Sequence, residues 1–341
     1  MAMGSDGPLV EIRGLSIGYT PKGHHQPRTV IRDVSFEIGR GEIVGLVGES
    51  GSGKTQTARA ILRMNTRPLQ PLAGQILLDG VDVLSLPERD LRTVRGAKVA
   101  MIFQDPRSAL NPLLRVGDQL ARVYALHKGI SKAEARAEAL QMLRKVGIAG
   151  PERVARSYPH QLSGGMCQRV MISMALGIHP ALLIADEPTT GLDVSIQAQI
   201  LDLIRVIRDE TGTSVLLITH DLGVVAETCE RVVVMYAGRV VEIAPVTDLF
   251  ARPRHPYTVR LLEATRGSDG QAEELEATEE YPRERSVEIA ALSYVASMDD
   301  VESDHPGLAL TEVAPGHLVL CRPANAQAVG SRGAVEQDQG A

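Results

Sequence analysis

The chain has 341 residues, 44% hydrophobic and 23% charged, with a formal net charge of −6. That length carries one large or two modest domains with a full core, and the composition is ordinary for a soluble protein. It excludes a helical membrane span, since no apolar run approaches the roughly 18 residues needed, and the acidic balance argues against a general nucleic-acid binder. Met1-Ala2-Met3-Gly4-Ser5-Asp6 has neither a basic nor an apolar export region, so a cytoplasmic location is expected. Cys167, Cys229 and Cys321 lie far apart without metal-ligand spacing, which suits free thiols in a reducing compartment.

In chain order, the pattern predicts strands over 9–17 and 29–38. Tyr19 follows the first, where an aromatic serves equally to stack on a purine or to cap the sheet. The apolar run Ile43 to Val47 reads as a buried strand, and Gly48-Glu49-Ser50-Gly51-Ser52-Gly53-Lys54-Thr55 follows it. This matches G-x-x-x-x-G-K-[ST], with Gln56 opening a segment of helix-forming composition. Glycines let successive backbone N–H groups turn inward onto phosphate oxygens, and the helix N-terminus adds partial positive charge. Lys54 would reach the β- and γ-phosphates, and the Thr55 hydroxyl would ligate Mg²⁺.

A break is expected over 68–74, then a hairpin over 75–83 turning at Asp79-Gly80. Lys98 to Phe103 predicts a buried strand that places Gln104 at its carboxyl end, where open α/β sheets set ligand groups. Residues from about 107 to 178 become mostly helical, with a capping box at Ser131-Lys132-Ala133-Glu134. Ser163 stands at an N-cap followed by Gly164 and Gly165, which exposes a second set of N–H groups. Ala181 to Ala185 predicts another buried strand ending in Asp186 and Glu187. Paired carboxylates there are costly unless a cation binds. Asp186 suits a Mg²⁺ contact and Glu187 suits polarising a water. Asp193 ends the following loop, and the strand Ser214 to Thr219 ends at His220.

In this order and separation, 48–55, Gln104, 162–166, 181–187, Asp193 and His220 resemble the Walker A, Q-loop, signature, Walker B, D-loop and H-loop of ATP-binding-cassette (ABC) transporter ATPases. The resemblance covers residues 8–265. It implies an α/β P-loop NTPase fold: a RecA-like core, an antiparallel β subdomain, and an α-helical subdomain at about 107–178. It further implies ATP and Mg²⁺ as cofactors, with Thr55, Gln104 and Asp186 around the metal. Tyr19 becomes the adenine-stacking aromatic, Glu187 the general base and His220 a γ-phosphate contact. Ser163, Gly164 and Gly165 would act in trans, on ATP held by a second cassette.

Finer matches narrow the group. Phe103-Gln104-Asp105-Pro106-Arg107-Ser108-Ala109-Leu110-Asn111-Pro112, Met166, and Arg252-Pro253-Arg254-His255-Pro256-Tyr257-Thr258 resemble the peptide/nickel importer ATPases. Such subunits usually pair as heterodimers beneath two integral membrane permeases, on the cytoplasmic face of the inner membrane, served by an extracytoplasmic solute-binding protein. Nucleic-acid or ribosome clamps built from the same ATPase carry two cassettes or a long coiled coil, and this chain has one cassette and no sustained heptads.

The end of the chain departs from the group. Many members carry four closely set cysteines in a C-terminal extension, and in some these hold an iron–sulfur cluster. Here Pro315 to Cys321 resembles the end of that extension, but the upstream cysteines are missing, so no cluster is expected. Residues 268–304 hold twelve acidic side chains and two arginines. That balance predicts a poorly packed, partly disordered linker within an extension spanning 266–341.

Overall fold

A computed structural model describes residues 7–24, 26–192, 194–267, 283–289 and 292–324. Two long strands open the chain, β1 (Val10–Tyr19) and β2 (Arg28–Ile38), followed by β3 (Ile43–Val47) and helix α1 (Lys54–Ile61). β4 (Gln70–Leu78) and β5 (Val81–Asp82) form the predicted hairpin, with Asp79 and Gly80 both at positive φ, as a two-residue turn of that hand requires. β1 pairs antiparallel with β2 on one side and β4 on the other.

β4 begins earlier than the sequence indicates. Residues 70–74, expected as a break, already pair with β1 across register shifts. Two prolines near its start argued against a strand, yet β5 covers only Leu77 and Leu78 on the far edge. Pro71 thus lies outside the stretch of β4 that β5 pairs with, an edge position where a strand tolerates proline.

Helix α2 (Glu88–Val94) and strand β6 (Val99–Ile102) lead into a helical lobe of α3 (Pro106–Ala109), α4 (Val116–Lys128), α5 (Lys132–Lys145), α6 (Pro151–Arg156) and α7 (Gly164–Leu176). The capping box of α5 is present, with Ser131 and Glu134 each accepting the other's backbone N–H. The chain returns through β7 (Leu182–Asp186), α8 (Val194–Thr211), β8 (Ser214–Ile218), α9 (Leu222–Thr228), β9 (Arg231–Tyr236) and β10 (Arg239–Pro245).

β6, β7, β8, β3 and β9 lie side by side in that order, all parallel. β3, β7 and β8 are buried at every residue, which is why they read as continuous apolar runs. Their side chains alternate between two cores. Val44, Leu46, Ile184 and Ile218 face the antiparallel sheet, while Ile43, Val47, Leu183 and Leu217 join the core shared with the helical lobe. Because the strands are parallel, their carboxyl ends share one edge.

Beyond β10 come α10 (Val246–Ala251), α11 (Pro256–Gly267), β11 (Glu284–Ile289), β12 (Leu292–Ser297), α12 (Met298–Glu302), β13 (Ala309–Ala314) and β14 (His317–Pro323). The linker expectation does not hold for the described part of the acidic stretch. Its strands join the central sheet through β14, which pairs antiparallel with β10 and carries β12 and β13. Met298 and Val301 of α12 are buried, and the surrounding acids are neutralised by Arg283, Arg239 and Arg322. Charge alone suggested disorder, but these apolar residues and ion pairs supply the missing packing. Residues 268–282 lie outside the described part.

Candidate nucleotide site

Gly48 leaves β3 with φ 144°, and a Cβ there would stand 2.1 Å from the Met235 carbonyl oxygen of β9. Only glycine fits that approach. Gly53, at φ 106°, is the left-handed residue from which α1 starts. The loop between them wraps Lys54, whose Nζ donates to the carbonyls of Gly48 (2.7 Å) and Glu49 (2.8 Å). Burial lowers the Lys54 pKa, while Glu187, Asp186 and Glu49 oppose that shift. Ser52 closes the loop internally, its N–H donating to the Glu49 carbonyl, and Gly238 N–H donates to the Ser52 carbonyl. Gln56 is tied to Asn65, whose Nδ2 donates to the Gln56 carbonyl at 2.8 Å.

At the second residue of α1, the Thr55 hydroxyl donates to Asp186 Oδ1 at 3.1 Å. The other carboxylate oxygen of Asp186 is buried without a hydrogen-bond partner. Burial raises the Asp186 pKa, so the carboxylate is held at a cost that a bound cation relieves. A hydroxyl and a buried, unpartnered carboxylate oxygen are the hard oxygen donors that Mg²⁺ prefers. The donor set fits the metal.

Glu187, next in sequence, adopts φ 48°, an unusual backbone for a side-chain-bearing residue. Its N–H stays in register, donating to the Ile218 carbonyl of β8. Its carboxylate collects three neighbours from other strand ends and its own loop. Gln104 Nε2 donates at 2.8 Å, the Thr190 hydroxyl donates at 2.9 Å, and His220 Nδ1 lies 3.7 Å away. That last separation is an ion-pair contact rather than a hydrogen bond. His220 is the largest influence holding the Glu187 carboxyl below its ordinary range, against the opposing effect of burial. Reciprocally, Glu187 raises the His220 pKa. The ends of β3, β6, β7 and β8 thus bring Lys54, Gln104, Asp186, Glu187 and His220 to one edge.

Other sequence-predicted residues do not join this cluster. Ser163 caps α7, accepting the Met166 N–H at 3.3 Å, and an added Cβ on Gly164 would meet nothing within 4 Å. Among the described residues, no hydrogen bond joins Ser163, Gly164 or Gly165 to the phosphate loop. Tyr19 ends β1 opposite Arg28 and is partly exposed. Asp193 lies outside the described residues.

Sequence reasoning missed two features beside the loop. Tyr257 of α11 accepts the Glu49 N–H at 2.8 Å, and Tyr236 stacks on Tyr257 with ring centroids 4.4 Å apart. The apolar run at 232–236 and the Ala237-Gly238 turn are a local signal for the β9–β10 hairpin, but no local pattern points to the tyrosine pair. The cysteines are dispersed: Cys167 within α7, Cys229 just after α9 against Gly45, and Cys321 within β14. They do not fit a cluster held by four thiolates.

A family model described as ABC transporter matches residues 31–190. A probable peptide ABC transporter ATP-binding protein of Sinorhizobium fredii, y4tR, is 46% identical over 322 residues, covering 93% of this chain and 95% of that one. The oligopeptide transport ATP-binding protein OppD of Salmonella typhimurium is 47% identical over 271 residues, 78% of this chain and 79% of its own. Among solved structures, the dimeric post-hydrolysis state of the ATP-binding cassette MJ0796 bound to ADP and Pi aligns at a TM-score of 0.62 and 29% identity, over 70% of this chain and 98% of that one.

Proposed function

The chain belongs to the ABC transporter family as an ATP-binding and ATP-hydrolysing subunit, and from that premise we propose that it powers peptide uptake through partner permeases. One observation carries the catalytic half: Gln104 and His220, from different strand ends, both converge on the Glu187 carboxylate. In this reading Glu187 accepts the proton of the attacking water. Its depressed pKa keeps it ionised at neutral pH. Lys54 and the N–H groups of the phosphate loop hold the triphosphate, and His220 contacts the γ-phosphate. Thr55, Asp186 and Gln104 would hold Mg²⁺, which when bound neutralises charge on the phosphate oxygens. Tyr19 stacks on the adenine, a role supported by its partly exposed place at the end of β1.

Ser163, Gly164 and Gly165 face outward and serve ATP bound to a second cassette. The open surroundings of Gly164 support this, as does the dimeric state named for the MJ0796 cassette. Residues 8–265 are the cassette and 266–341 the extension. Between the central sheet and the helical lobe lies an apolar cleft of about 210 Å³, lined in part by Met64, Phe103, Leu110, Met171 and Ile178. It opens beside Gln104's own segment, and we assign it to the permease. That contact would keep the subunit on the cytoplasmic face of the membrane. No described helix is long and apolar enough to cross a membrane. Peptide as the solute rests on the names of the relatives.

The test joins purification to transport. The tagged chain, extracted from membranes in mild detergent, should bring down two integral membrane proteins and a second cassette. A deletion strain should lose uptake of labelled peptides and regain it with the wild-type chain but not with Glu187→Gln. Recovery with RNA or ribosomes, and unchanged peptide uptake, would overturn the reading.

A further inference from the structure

The peptide unit joining Gly48 to Glu49 is gripped at both ends. Its carbonyl accepts from Lys54 Nζ at 2.7 Å, and its N–H donates to the Tyr257 hydroxyl at 2.8 Å. Tyr257 is fully buried at the start of α11. Its ring stacks on Tyr236 at the end of β9, and the Tyr236 hydroxyl donates to Glu302 of α12. Glu302 is itself held by Arg283, whose guanidinium donates to it at 2.7 Å.

A second route reaches the same helix. The buried Glu242 carboxylate of β10 accepts the N–H groups of Arg254 and His255, at 2.8 and 2.9 Å, just before α11. The same carboxylate contacts His317 Nε2 of β14 at 2.7 Å. Strand and helix of the extension thus both bear on the element that presents Tyr257.

We propose that the C-terminal extension is a brace on the phosphate loop, acting from Glu302 through Tyr236 and Tyr257 on the Gly48–Glu49 peptide, and that it sets nucleotide affinity. Tyr257 is a positioning residue: it fixes which way the Gly48 carbonyl points, and hence where Lys54 rests. The inference rests on nucleotide binding at this loop and is independent of the solute and the permease.

The experiment measures Mg·ATP dissociation constants of the full chain by titration, with KM and kcat and a thermal melt for each variant. Tyr257→Phe keeps the ring stack and removes the acceptor, and should weaken nucleotide binding roughly 3–10-fold, as expected for one hydrogen bond. That loss should fall on affinity and KM rather than kcat. Glu302→Ala, at the surface, should weaken binding about 2-fold or more. Glu302→Gln, which still accepts from Tyr236, should restore it. Unchanged affinity in a folded Tyr257→Phe overturns the brace. If Tyr257→Phe unfolds, Glu302→Ala against Glu302→Gln decides, and equal affinities for that pair remove the extension's role. Failure of the wild-type chain to bind Mg·ATP would instead strike the nucleotide-site reading.

Discussion

Gln104 Nε2 donates to Glu187 Oε2 at 2.8 Å, joining side chains 83 positions apart through the ends of neighbouring strands. The contact makes Glu187→Gln a clean test of the base. An amide oxygen still accepts from Gln104 and Thr190, so the surroundings persist, but it cannot take a proton from water. Turnover in the assembled transporter should fall roughly 10²–10⁴-fold with ATP affinity retained. Lys54→Ala should instead lose the triphosphate, seen in the same titration. Wild-type hydrolysis by Glu187→Gln would remove Glu187 from the role of base.

Ser163→Arg places bulk where a partner's triphosphate would dock and leaves this chain's own phosphate loop alone. The isolated variant should bind ATP normally, yet fail to pair on ATP addition and fail in transport. Losing the Ser163 cap costs about 1 kcal/mol of helix stability, so a melt accompanies the titration and sizing. The isolated wild-type subunit should be a slow ATPase, because closure around the γ-phosphate carries much of the rate. Loss of ATP binding in the isolated variant would mean that Ser163 serves its own site.

His255 is fully buried, and burial pushes its pKa down to about 4, only partly offset by Glu242. Its Nδ1 accepts the Tyr257 N–H at 3.2 Å. The folded state therefore holds His255 neutral, while the unfolded chain protonates near the ordinary histidine value of about 6.5. Between those values the unfolded state binds more protons, so stability is whole above pH 6.5 and drains as pH falls toward 4. The loss should be on the order of 2–3 kcal/mol. Denaturant melts of wild type and His255→Gln across that window check it. Parallel pH slopes for the two proteins would contradict the assignment.

Protein purified without oxygen should carry no stoichiometric iron and no broad visible absorption. Cys321 is buried in β14, and neither Cys167 in α7 nor Cys229 after α9 shares its element. Iron and sulfide near one cluster per chain would show that another polypeptide donates thiolates.

The sequence by itself determined which side chains stand at the candidate site. Phosphate-loop glycines must fall within one short stretch to curl one backbone, and a buried parallel strand announces itself as an apolar run with the candidate site residue at its carboxyl end. Lys54, Gln104, Asp186, Glu187 and His220 were legible for that reason, and the α5 capping box because its two hydrogen bonds span only three residues. Only the tertiary structure decided the rest. The order β6-β7-β8-β3-β9 brings those strand ends together, and no local pattern encodes it. The acidic extension looked unstructured because charge density is a local property, whereas its stability comes from β14 pairing with β10 some 75 residues away. In sequence Tyr257 is one residue of the Arg252–Thr258 match, with no role of its own. It becomes a partner of the phosphate loop only when α11 folds back onto Glu49, 208 positions earlier.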